Sequence, residues 1–178
     1  MSRYATWLVL AGMVLVIGAA NYTIVDRQQV VDNGQPILLK LRPVDPRSLM
    51  QGDYMVLRYS EGVFPDAAQE TNLPRRGTFI VKLDSDNVAT YSRLDDGGPL
   101  TTDEVRLKYK LLDKNGSIRL GAESFFFEEG QASVYGGADY GVLHVDIAGN
   151  SVLVGLADDD KVLLRPAADG TISGVRRP

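Results

Sequence analysis

Between Ala5 and Val25 the chain reads ATWLVLAGMVLVIGAANYTIV, 21 positions without a charged side chain. An α-helix advances about 1.5 Å per residue, so a run of this length can cross a hydrocarbon core about 30 Å thick. Arg3 is the one charged side chain among the first 25 residues. Basic residues are retained on the cytoplasmic side of a spanning helix, which predicts a cytoplasmic N-terminus and a domain on the far side. Trp7 and Tyr22 stand near the two ends of the run, where interfacial aromatics are favoured. A cleaved signal peptide is the rival reading, since Gly18-Ala19-Ala20 supplies the small residues a signal peptidase takes. Tyr22, Ile24 and Val25 carry the apolar run past that point to spanning length, which favours an uncleaved anchor over residues 1–25.

Beyond the anchor, 18 basic side chains face 23 acidic ones. That acidic balance argues against a nucleic-acid partner, which requires a basic face. The chain has no cysteine, so disulfides, thiolate metal sites and thiol nucleophiles are excluded. Residues 26–36 are polar and read as a linker or the frayed end of the helix. From there to Pro178 the hydrophobic period is two. Val105, Leu107, Tyr109 and Leu111 alternate with Arg106, Lys108 and Lys110, the pattern of a half-buried strand. Further strands are expected at Ile37–Arg42, Tyr54–Tyr59, Thr78–Leu83, Val88–Leu94, Ile118–Phe127, Tyr140–Ile147, Ser151–Leu156 and Lys161–Arg165, with a short helix within Gly130–Asp139.

Turn clusters separate these runs: Asp84-Ser85-Asp86-Asn87, Asp95-Asp96-Gly97-Gly98, Lys114-Asn115-Gly116, Ala148-Gly149-Asn150 and Asp158-Asp159-Asp160. Many short strands joined by tight turns predict a mainly β domain over 37–178, an antiparallel β-sandwich or partly open β-barrel. The acidic turns lack the alternation, glycine and terminal glutamate of a calcium loop, so hairpin turns account for them better. His144 is the only histidine, and with Asp146 it cannot complete a metal site; a hydrogen-bonded strand histidine is expected. No phosphate loop or nucleophile elbow is present, and nothing calls for a cofactor.

The densest local signal is Pro43-Val44-Asp45-Pro46-Arg47-Ser48-Leu49-Met50-Gln51-Gly52-Asp53-Tyr54-Met55-Val56-Leu57-Arg58-Tyr59. The two prolines hold the backbone extended or turned, and Asp45 can close a turn by accepting backbone donors. In the strand after Gly52-Asp53, Met55, Leu57 and Tyr59 share one face, and Tyr54, Val56 and Arg58 the other. Residues 52–59 match G-D-Y-x-x-L-x-Y in full, and the chain resembles the bacterial GDYXXLXY family. The likeness extends upstream through Asp45 and Arg47. It continues downstream through Gly121-Ala122-Glu123-Ser124-Phe125-Phe126-Phe127 and Glu129-Gly130-Gln131. A single N-terminal membrane helix is typical of that family. The resemblance implies a membrane-associated protein, often encoded beside or fused to multi-span membrane proteins, and supplies no activity. It marks Asp45, Arg47, Gly52, Asp53, Tyr54, Leu57, Tyr59, Glu123, Glu129, Gly130 and Gln131 as the candidate binding surface.

A more distant likeness is to the β-fold of Ser–Lys peptidases of the LexA and leader-peptidase kind. It rests on Gly52-Asp53 with its strand, Arg76-Gly77-Thr78-Phe79-Ile80-Val81, and Val88–Leu94. Those enzymes need a serine roughly eight or nine residues before the Gly-Asp and a neutral lysine late in the last strand. Here the slots fall at Pro43 or Val44 and at Tyr91 or Ser92, so the likeness implies the fold without its catalytic pair. Ser48 is too close to Gly52, and Lys82 alternates with apolar neighbours and should face solvent. The resulting expectation is a non-enzymatic interaction module. It is anchored in a bacterial inner membrane through residues 5–25, faces the periplasm, and binds a multi-span membrane protein or envelope component. The alternative is an envelope hydrolase using carboxylates such as Asp53 and Glu123.

Overall fold

The computed structural model describes residues 3–42, 50–51, 54–65, 73–112, 117–166 and 172–175. Its first element is one helix, α1 (Arg3–Asn33). The segment from Trp7 is long and apolar enough to cross a membrane. From Trp7 to Val25 its side chains are exposed all round, Trp7, Leu8, Val14, Leu15 and Ile24 among them. A helical stretch apolar on every side, with nothing packed on it, is suited to lipid rather than to a protein core. Residues 26–33, polar in sequence, do not leave the helix. Their helical state has a tertiary cause: Val30 is buried against the domain, and Gly34 ends the helix by donating its amide to the Val30 carbonyl at 2.9 Å.

The domain is mainly β and its ladders are antiparallel. Strands β1 (Gln35–Lys40), β9 (Tyr140–Val145), β10 (Ser151–Ala157), β11 (Leu163–Pro166) and β12 (Ile172–Val175) form a five-stranded sheet in the order β1-β9-β10-β11-β12. A four-stranded sheet has the order β5 (Ala89–Leu94), β4 (Arg76–Leu83), β6 (Glu104–Leu111), β7 (Ile118–Arg119). A small third sheet sets β3 (Tyr54–Val56) between β2 (Met50–Gln51) and β8 (Ser124–Phe126). Isolated bridges stitch the sheets together, Leu38 to Val88 and Leu41 to Tyr59. Among the described residues no sheet closes into a barrel, and the arrangement is consistent with a β-sandwich.

The alternating positions supply the core. Ile37, Leu39, Phe79, Leu107, Leu143 and Leu156 are fully buried. Phe79 sits within 5.8–6.3 Å of the rings of Phe64, Tyr91 and Tyr109, and Phe64 in turn meets Tyr59. The expected run Ile118–Phe127 is two strands, β7 and β8, separated at Gly121, whose φ of +82° ends the extended backbone. The expected short helix is α2 (Ala132–Tyr135).

The acidic clusters are turns. Asp84 Oδ1 accepts the amides of Asp86 and Val88, and Asp158 Oδ1 accepts that of Val162. The Lys114-Asn115-Gly116 turn lies outside the described residues, yet β6 and β7 on either side of it pair as a hairpin requires.

Candidate functional site

Asp45, Arg47, Gly52 and Asp53 lie outside the described residues, as do Ser48 and the Pro43 and Val44 positions. The rest of the motif is built on β3 and the irregular residues after it. Alternation divides it into two faces, as the period-two pattern requires. Inward, Met55, Leu57 and Tyr59 keep 4, 3 and 5% of their surface exposed. Tyr59 is held from several directions. Its hydroxyl donates to the Ala122 carbonyl, its backbone bridges to Leu41, and its ring meets Phe64 edge-on at 6.1 Å. Burial, reinforced by the nearby Glu123 charge, pushes the Tyr59 hydroxyl well above the usual tyrosine range. It is therefore a neutral donor, suited to its carbonyl partner.

The second block of the motif is the mate of the first. In the β3–β8 ladder Tyr54 lies opposite Phe126, Met55 opposite Phe125, and Val56 opposite Ser124. The Leu57 amide donates to the Glu123 carbonyl at 2.8 Å and extends the pairing. Three phenylalanines in a row, on β8 and the residue after it, face alternately. Phe125 and Phe127 turn inward and meet the ring of Tyr135 on α2 at 4.9 and 5.5 Å. Phe126 faces out, 73% exposed, with its ring 5.7 Å from that of Tyr54. Tyr54 and Phe126 thus form an aromatic pair on the solvent side of a strand whose other side is core.

The polar members of the candidate set have local backbone roles. The Glu123 carboxylate accepts the amides of Leu120 and Gly121 at 2.5 and 3.2 Å, closing the turn between β7 and β8. Gln131 donates its amide to the Glu128 carbonyl and its side chain to the Glu128 carboxylate. Gly130 has a φ of +86°, which serves that turn, and Glu129 is exposed beside it. The structure therefore brings together Tyr54, Leu57, Tyr59 and Glu123 around the β3–β8 ladder, with residues 129–131 at the far end of β8. Phe126 was not singled out from sequence, although the F-F-F run carried the signal.

Elsewhere, His144 is a half-buried strand residue with Nδ1 2.6 Å from the Val31 carbonyl, so it clips the end of α1 to β9. Lys82 is exposed and paired with Asp103 at 3.3 Å. Among the described residues no group of three or more histidine and acidic side chains is arranged to hold a metal ion.

Comparison with protein families matches the model described as GDYXXLXY protein over residues 16–156. No curated protein and no solved structure matches the chain.

Proposed function

The chain belongs to the GDYXXLXY protein family, and on that premise we propose that it is a membrane-tethered interaction module whose contact surface is the outer face of β3 and β8. The observation that carries the reading is the Tyr54–Phe126 pair, which leaves a large aromatic 73% exposed where the fold does not use it. Aromatic side chains offer a partner wide apolar area at small entropic cost, and they are enriched where interfaces concentrate their energy. The partner class is a membrane protein or envelope component held beside the anchor. Arg3 ahead of the apolar run supports a periplasmic domain in a bacterial inner membrane.

The hydrolase alternative needs free carboxylates. Glu123 is already closing its own turn, which weighs against it in that role.

The test is photo-crosslinking from position 126 of the full chain in native membranes. The expected product is one discrete adduct lost on Tyr54→Ala with the melting temperature kept. Absence of any adduct at 126, while a cross-linker at an unrelated exposed position behaves identically, refutes the surface.

A further inference from the structure

A hairpin tip beside the end of α1 carries an exposed aliphatic that the fold does not need. The β9–β10 turn, Asp146-Ile147-Ala148-Gly149-Asn150, is a rigid device. Asp146 Oδ1 accepts the amides of Ala148 and Asn150, and the Asn150 side chain donates to Asp146 Oδ2 at 2.7 Å. Partial burial pushes the Asp146 carboxyl up, but the hydrogen bonds from the Asn150 side chain and from the Asn150 and Ala148 amides together outweigh it and hold the group below the usual carboxylate range. Gly149, at a φ of +84°, packs on the backbone of β6 and accepts the Lys108 amide. At the tip of this braced turn Ile147 is 96% exposed. Turn tips ordinarily take polar residues. A single exposed aliphatic is common on a soluble surface and carries no meaning alone.

The position of Ile147 is what carries meaning. It lines a cavity of about 640 Å³ together with Asp26 and Val30 of α1. Asp26 is the first residue after the uncharged run ending at Val25. Val30, the side chain seated in the domain, stands five helical steps on from Val25, a rise of about 7.5 Å. The headgroup zone of one leaflet is about 5–8 Å thick, half the difference between a whole bilayer and its core. The braced turn shares its cavity with Asp26, one residue past the uncharged run, which brings it within reach of the headgroup zone when α1 spans.

We propose that the β9–β10 turn is a second membrane contact, with Ile147 inserted into the bilayer interface so that helix and hairpin together set the tilt of the domain. The occupant is the lipid surface itself. Acidic Asp26, Glu104 and Asp146 outnumber Arg106 around the cavity, so the contact is apolar insertion and not attraction to anionic lipid. The inference rests on α1 spanning a membrane, and the experiment separates the two.

Because the chain has no cysteine, single substitutions Ile147→Cys, Val14→Cys and Asp159→Cys each accept one environment-sensitive fluorophore. Val14 is within the span. Asp159 is an exposed control at the opposite end of β10, about 23 Å along the strand. The full chain is reconstituted in phosphatidylcholine vesicles, with and without nitroxide-labelled lipids. The expected result is deep quenching at 14, shallow quenching at 147 at least twofold greater than at 159, and a blue-shifted emission at 147. Quenching at 14 with 147 indistinguishable from 159 overturns the second contact and leaves the span intact. No quenching at 14 overturns both. A blue shift at 147 that grows with protein-to-lipid ratio, without lipid quenching, assigns the tip to a second copy and also overturns the proposal.

Discussion

Replacing Tyr59 with alanine should be among the most damaging single changes in the domain, and replacing Tyr54 among the mildest for so large a residue. Tyr59 is 5% exposed, its ring lies against Phe64, and its hydroxyl satisfies the carbonyl of buried Ala122. Truncating a buried aromatic to alanine typically costs about 3–5 kcal/mol through lost burial and the cavity left behind. Stranding the carbonyl adds about 1–3 kcal/mol. Even the lower combined figure, about 4 kcal/mol, is most of the stability of a marginal domain. Tyr59→Phe keeps the ring and should cost only the hydrogen bond, about 1–2 kcal/mol. Tyr54→Ala loses a half-exposed ring and its contact with Phe126, about 1 kcal/mol. Urea melts of the full chain in detergent micelles, followed by near-ultraviolet circular dichroism of the tyrosines, rank the three variants. Equal losses for Tyr54→Ala and Tyr59→Ala would refute the two-face reasoning and make the motif scaffold throughout.

Alkaline pH should expose the same residue. The folded-state pKa of Tyr59 is raised above the ordinary value of about 10, chiefly by burial. Its contribution to stability is therefore complete below about pH 10 and declines above it, by about 1.4 kcal/mol per pH unit. Tyr59→Phe should start lower and lose less between pH 10 and 11, and parallel curves for the two proteins would disprove this. Gly34→Ala should loosen the seat of α1, because a Cβ there would lie 2.3 Å from the Val30 carbonyl oxygen and 2.9 Å from the Val145 nitrogen. Overpacking of this kind costs about 1–3 kcal/mol, and an unchanged melting temperature would count against the seat. A reporter active only in the periplasm, fused after Pro178, should be active; activity of a cytoplasmic reporter instead would reverse the orientation drawn from Arg3.

Local pattern alone determined the long apolar N-terminal helix, the mainly β character and the division of the motif strand into two faces. An uncharged run of 21 residues has one economical conformation in lipid, and alternation assigns side chains to sides whatever strand lies next door. Acidic turns were legible for the same reason: Asp84 and Asp158 bond amides two to four residues away, so nothing distant is involved. Strand partners were not legible. β1 pairs with β9 a hundred residues later, Leu38 bridges to Val88, and Leu41 bridges to Tyr59, choices made by packing between segments that no window of sequence contains. Nor did polarity reveal that residues 26–33 stay helical, because that depends on Val30 finding a pocket and His144 reaching the Val31 carbonyl. The exposure of Phe126 lies between the two cases. The F-F-F run obliges one ring to oppose its neighbours, but only the seating of Phe125 and Phe127 against Tyr135 decides which one is left to solvent.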